Sequence, residues 1–392
     1  MTFRKSHLLL IPFIALFLNN VSFAADAHKD ITNVSSKKCE KCHEEIYDQW
    51  KGSMHAQSTA LKDPIHGTFY SMVIGDPRKE GVKKNGKYPA CLQCHSPAAA
   101  KAGKTKLDAK KSYSEGVNCI SCHTLTKFKG TKKEGGGLQL GMKAYEYSTS
   151  KLQGPSGTSE KHKKWGKGVE GNPGLMKTSA ACMGCHDQRP NANKVSLCQT
   201  GDEIATAGGS TTCQTCHMPT TEDGITNHAM MGGHQGEMVS RGLVMTVDAK
   251  KEADTTKATV KLQNLLPHSF PTGAPFRNFY VMVAAFNKEG TQIWTSTKSH
   301  PMKDDKQAMF MYTIGNEDGP TAPPMATKVI ADTRLKPNET REISYEIPGD
   351  VARVNATAYY DLLLNPIKKK FGDKLPAELL EPKEIAKAQI RL

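Results

Sequence analysis

The chain has 392 residues, with 53 Lys and Arg against 39 Asp and Glu for a formal charge of +14, and it holds 11 cysteines and 14 histidines. That length suits about two domains, and a 38% hydrophobic content excludes a wholly disordered chain. The longest apolar run, residues 8–18, falls short of the roughly 18–20 residues of a membrane-spanning helix, which excludes a polytopic membrane protein.

Arg4 and Lys5 precede that run, and Ser22-Phe23-Ala24 follows it with small residues where a signal peptidase reads. This predicts a secretory signal peptide over residues 1–24, cut after Ala24. The mature protein is then expected in the periplasm or outside the cell, with no integral membrane span. Because the first cysteine is Cys39, a lipid anchor on a cysteine behind the signal is not expected.

Ten of the cysteines fall into one pattern, C-x-x-C-H, repeated five times: Cys39, Cys42 and His43; Cys91, Cys94 and His95; Cys119, Cys122 and His123; Cys182, Cys185 and His186; Cys213, Cys216 and His217. Chance at this composition gives roughly 0.01 occurrences, and the pattern reads as a c-type haem attachment site. Two thiols three positions apart on one turn each form a thioether with a haem vinyl group. The adjacent imidazole then sits under the iron. Disulfides and zinc ribbons also use paired cysteines, but neither requires a histidine after every second one. The prediction is five covalent haems c. Cys198 stands outside the pattern and reads as a buried free thiol, with an intermolecular disulfide as the alternative.

The cofactor changes how the charge is read. Loss of Arg4 and Lys5 takes +14 to +12, and five haems bring about −5 when oxidised and about −10 when reduced, leaving about +7 to +2. The basic balance therefore compensates haem carboxylates, and no nucleic-acid partner is expected.

Residues 25–240 read as a pentahaem domain mainly of short helices and loops. With roughly 36 residues for each motif, the polypeptide is too sparse to build a core around every site, so the haems must form it. Ile46, Trp50 and Met54 predict an amphipathic helix over 44–59. Gly- and Lys-rich loops follow at 127–137 and 154–174. Past residue 241 the cysteines end and apolar alternation begins. Strands are predicted at 257–262, 279–286, 292–295, 342–347 and 354–363, with weaker ones at 243–247 and 327–330. These make residues 241–365 a β-sandwich of roughly immunoglobulin-like size. Residues 366–392 read as a Lys-rich tail with a helix around 382–390. The fold class is mixed.

Eight histidines of the mature chain lie outside the motifs. On the predicted helix His55 lies about 18 Å along the axis from His43, at about 1.5 Å per residue, so it would serve a neighbouring haem. His228 and His234 flank a Gly/Met-rich loop beyond the fifth motif and read as ligands to neighbouring haems. His162, in a Lys/Gly-rich loop, and His66, beside Pro64, are weaker ligands. His28 and His300 have nothing beyond their identity.

Trp50-Lys-Gly-Ser53-Met-His55-Ala56, directly after a C-x-x-C-H, resembles the Trp-x-x-Ser-x-His-Ala segment of multihaem c-type cytochromes related to the tetrahaem cytochrome of hydroxylamine oxidation. Gly116-Val117-Asn118-Cys119 resembles the approach to a haem in that group and in pentahaem nitrite reductases. The resemblance spans residues 39–234 and implies closely stacked haem pairs, mostly with two His ligands, and electron transfer. Pro267-His268-Ser269-Phe270-Pro271-Thr272-Gly273 is similar to a turn found where β-sandwich domains are appended to multihaem cytochromes. By that resemblance His268 faces a haem and ties the two domains together.

Three functions follow. The first is an electron carrier between a quinol-linked donor and a terminal or extracellular acceptor. The second is a reductase of nitrite, hydroxylamine or a related small oxyanion with one open haem site. Pentahaem nitrite reductases carry a C-x-x-C-K motif, and here all five end in His, which counts against that activity. The third is a subunit of a haem filament or other oligomer. The carrier is the preferred reading.

Overall fold

The computed structural model describes Met1 and residues 30–156, 161–162 and 167–392. The predicted signal peptide and His28 lie outside the described residues. Each C-x-x-C-H forms one helical turn, because the histidine amide can bond back to the first cysteine carbonyl. His43 N donates to Cys39 O at 3.0 Å, His95 N to Cys91 O at 3.0 Å and His123 N to Cys119 O at 2.9 Å. The motifs sit on helices Lys37–Glu40, Leu92–His95, Cys119–Cys122, Ala180–His186 and Cys213–His217 or at their ends.

The helix predicted over 44–59 is broken. Glu44–Lys51 ends at Gly52, and a new turn, Met54–Gln57, starts where Ser53 Oγ accepts from Ala56 N at 3.3 Å. Serine offers the backbone a cap in place of a continued helix, so the chain turns a corner just before His55. The helix Pro64–Val73 is better supported, with Pro64 in its first turn and Asp63 accepting from Ile65 N and His66 N. Between the helices run small ladders: β1 (Leu125–Phe128) with β2 (Tyr145–Tyr147), β5 (Lys167–Gly171) with β3 (Leu152–Gly154) and β4 (Lys161–His162), and β6 (Arg189–Pro190) with β7 (Ser196–Cys198). Buried apolar residues of this region form separate small clusters, such as Leu125, Met142, Ala144, Tyr145 and Leu175.

From residue 243 onward the chain is an antiparallel β structure of two sheets. One has the order β15-β9-β8, from Thr340–Pro348, Thr255–Asn264 and Leu243–Glu252. The other runs β13-β12-β10-β16-β17, from Gly319–Pro320, Met309–Asn316, Asn278–Phe286, Arg353–Asp361 and Lys383–Arg391. In it β11 (Gln292–Thr295) pairs with β10 and β14 (Lys328–Asp332) with β12. Inward residues of both sheets share one core, in which Phe279 and Phe310 stack at 4.2 Å.

All seven predicted strands overlap these elements, with 354–363 running two residues past β16 and 327–330 starting one before β14. The tail corrects the sequence reading: residues 383–391 form strand β17 along β16, not a helix. Its Ala, Lys and Glu favour helix locally, but Ala386, Ala388 and Ile390 alternate onto the core, and packing overrides propensity. Strands β12 and β13 are the other additions. Phe310 enters the β core, while Tyr312 and Ile314 pack with Val195 and Ala326, joining the sheet to the loop after the fourth motif. Ile65 and Phe69 also reach the β core from the Pro64–Val73 helix, with Phe69 stacked on Phe276 at 5.4 Å.

Candidate functional site

No two of the eleven cysteines are joined in a disulfide. Their sulfurs meet between motifs: Cys39 lies against Cys119, Cys94 against Cys185 and Cys182 against Cys213. The first motif therefore adjoins the third, and the fourth adjoins both the second and the fifth. Cys42 and Cys216 are exposed, which brings the first and fifth motifs to the surface, whereas Cys94 is buried.

The imidazoles are prepared for metal. His95 Nδ1 lies 3.0 Å from Ser58 O, His123 Nδ1 2.8 Å from Gln153 O and His217 Nδ1 2.6 Å from Met231 O. Outside the motifs, His228 Nδ1 lies 2.7 Å from Thr226 O, His268 Nδ1 3.0 Å from Ser269 O and His66 Nδ1 2.8 Å from Ser58 O. An Nδ1–H given to a carbonyl fixes the tautomer that leaves Nε2 as the free base, as ligating histidines require. His66 Nε2 is buried and has no hydrogen-bond partner. Burial, reinforced by neighbouring histidines, holds His186 down to about 4 and His55 to about 3, so both rings are neutral. Paired thiols beside neutral imidazoles with free nitrogens fit covalent haem.

The structure brings two of the predicted distal histidines to a motif histidine. His55 faces His186 with ring centres 6.0 Å apart, and His228 faces His123 at 6.3 Å with rings 22° from parallel. Two metal–nitrogen bonds of about 2 Å plus two half-rings come to about 6 Å, the spacing of imidazoles that share a metal. His268 lies near enough to His217 for their charges to interact. His66 stands beside His95 rather than opposite it. The ring centres are 4.0 Å apart, too close for an intervening ion, and both Nδ1 atoms share Ser58 O.

Burial holds His234 down to about 4, and the charges near it are those of Arg277 and Lys383. The backbone of His162 pairs with Lys167, and its side chain lies outside the described residues. His300 Nδ1 caps the helix Pro301–Asp304, accepting from Met302 N at 3.1 Å. Cys198 is half-buried, its Sγ 3.7 Å from His186 O, and not the buried thiol expected.

The two short segments flagged by resemblance bind one another. Trp50 Nε1 donates to Val117 O at 2.8 Å, and Val117 N donates to His55 O at 2.9 Å. Ser58 Oγ lies 3.0 Å from both His55 O and His95 O. Asn118 then caps the third motif's helix in a reciprocal box with Ser121. His55 is thereby locked to the approach of the third motif.

Sequence reasoning missed two cations of the site. Arg189 Nη1 donates to Cys94 Sγ at 2.6 Å, and Lys101 Nζ donates to Thr124 Oγ1 at 2.9 Å beside Cys122. Burial lowers Lys101 to about 8. Among 53 Lys and Arg, neither stands out from the sequence alone.

The family model for cytochrome c554 and c-prime matches residues 38–124. The fold aligns with the penta-haem cytochrome c552 of Thermochromatium tepidum over 93% of this chain and 100% of that one, at 46% identity and a TM-score of 0.87. The chain belongs to this family of multihaem c-type cytochromes. Cytochrome c-554 of Nitrosomonas europaea is 28% identical over 117 residues, 29% of this chain and 46% of that one. The chain thus spans about half the length of that curated relative. Family membership makes the cofactor of the C-x-x-C-H turns covalent c-type haem. No helix among the described residues is long and apolar enough to cross a membrane.

Proposed function

We propose that the protein is an exported electron carrier with five haems, passing electrons from a quinol-linked donor to a terminal or extracellular acceptor. The observation that carries the reading is the contact of attachment cysteines across motifs, Cys39 with Cys119, Cys94 with Cys185 and Cys182 with Cys213, which makes the sites neighbours. When bound, each haem supplies a one-electron Fe(III)/Fe(II) couple. The cysteines hold the rings, and the five motif histidines provide one ligand each. His55, His228 and His268 provide the second at the fourth, third and fifth sites. Backbone carbonyls at Ser58, Gln153 and Met231 orient the imidazoles. The exposed first and fifth motifs are the places of entry and exit.

Electron paramagnetic resonance of the ferric holoprotein tests this reading. Low-spin signals at the third, fourth and fifth haems are expected. A second reading, reduction of a small oxyanion at an open haem, draws on one observation: His66 lies beside His95 and not across from it. A high-spin signal together with cyanide-sensitive turnover of nitrite or hydroxylamine would favour that reading over the carrier.

Partner docking gives a separate test. Lys127 on β1 and Lys129, Lys132 and Lys133 on the loop after it are exposed, and Thr131 Oγ1 ties that loop to Asp187 Oδ2 at 2.7 Å, one residue past His186. The companion stretch 161–167 lies largely outside the described residues. Steering by exposed charge raises association rates about 10- to 1000-fold and weakens with salt, the Debye length being about 10 Å at 0.1 M. Charge reversal at Lys132 and Lys133 should lower the second-order rate with an acidic partner about tenfold and flatten its salt dependence. Stopped-flow mixing over a salt series measures both, and unchanged rates would remove this loop as a docking rim.

A further inference from the structure

Glu203 belongs to the helix Thr200–Ala207 in the motif-bearing region, yet its carboxylate binds the β region. Oε2 accepts from Ser269 N at 3.1 Å and from Thr272 Oγ1 at 2.6 Å, while Oε1 accepts from Arg334 Nη1 at 2.7 Å. Both charged side chains are buried, Glu203 at 8% and Arg334 at 7% exposure. Arg334 is separately gripped by Asp332, Nε to Oδ1 at 2.8 Å and Nη2 to Oδ2 at 3.0 Å. The same first turn of the helix packs on the fourth motif. A Cβ on Gly201 would lie 2.4 Å from both Asp187 Oδ1 and Met183 Cε, so any larger residue would push these two side chains aside.

The turn that Glu203 holds begins directly after His268. The His268 ring is anchored through Nδ1 to the carbonyl of Ser269, the same residue whose amide the carboxylate takes. Thr200 Oγ1 also meets Thr272 Oγ1 at 2.9 Å. One buried anion thus fixes the peptide on which the imidazole is mounted. Its second partner, Arg334, stays paired with Asp332 if the anion is lost. A buried ion pair adds little net stability, because desolvation offsets attraction, but it enforces geometry.

We propose that Glu203 is a positioning residue that sets the His268 imidazole at the fifth haem, acting through the Ser269 amide and the Thr272 hydroxyl. The proposal rests on the reading of His268 as an axial ligand.

The test compares His268→Ala, Glu203→Ala and Thr272→Val in the haem-loaded protein, by ferric electron paramagnetic resonance and by carbon monoxide binding after reduction. His268→Ala should turn one haem high-spin and reactive to carbon monoxide. Glu203→Ala should produce the same signal at the same haem, and added imidazole should restore the low-spin spectrum in both. Thr272→Val removes one bond to the carboxylate and keeps the ion pair, so it should give a partial high-spin fraction. It also keeps the question open to refutation if Glu203→Ala does not fold. A high-spin haem in His268→Ala alone, with Glu203→Ala or, failing that, Thr272→Val spectrally native, would overturn the proposal and leave the ligand reading intact. A native spectrum in His268→Ala would overturn both.

Discussion

Gly116→Ala is expected to dislodge His55 from the fourth haem and to cost more stability than any single loss of a hydrogen bond at the site. Gly116 has φ +70°, and a Cβ there would lie 2.1 Å from His55 O and 2.7 Å from Ser58 Oγ. The left-handed conformation alone costs an L-residue about 1–2 kcal/mol. The clash cannot relax outward, because the next amide, Val117 N, donates to the same His55 carbonyl, and Val117 O is held by the Trp50 indole. Separation of the two segments should release the His55 turn on one side and the cap of the Cys119–Cys122 helix on the other. A loss of at least about 4 kcal/mol is in the range for strain plus a broken buried network. Ferric spectra should show a new high-spin haem, and thermal unfolding should shift down. A variant with native spin state and melting temperature would show that the junction of the two segments does not hold His55.

What could be read in the sequence follows from which constraints are local. The C-x-x-C-H turns are legible because thioether chemistry fixes both thiols and the imidazole within five residues. Strands such as β9 are legible because Ala258, Val260 and Leu262 alternate with outward polar residues. Strand β12 was hidden by being buried on both faces, with Phe310, Tyr312 and Ile314 on one and Met309 and Thr313 on the other, which erases the alternation. The distal histidines are the intermediate case. His228 and His234 stand in the same Gly/Met-rich loop, but one reaches His123 and the other Arg277 and Lys383, since their placement depends on how the loop crosses two distant elements. Glu203 was invisible for the same reason, as its partners lie at Ser269, Thr272 and Arg334.

The chain made without haem is expected to fold in part, its β region forming while the motif region stays open to proteases. The β core is continuous across both sheets, with Phe279 and Phe310 fully buried and stacked 7° from parallel. The motif region offers only separated clusters, among them Tyr47, Trp50 and Ala56, and its remaining interior is thiols and imidazoles suited to the cofactor. Proteolysis of apoprotein should therefore leave a resistant fragment starting near residue 240 and extending to the C-terminus, because β17 pairs along β16 from Lys383 to Arg391. That fragment should be weaker than the β region of the holoprotein. Ile65 fills its core from the other region, and losing a buried aliphatic side chain of this size costs about 2–5 kcal/mol. Mass spectrometry of the fragment checks the boundary. In the holoprotein, intact mass should exceed the apoprotein by five haem masses, and the pyridine haemochrome should agree. Equal protease resistance of residues 30–240 with and without haem would show that this region has a core of its own.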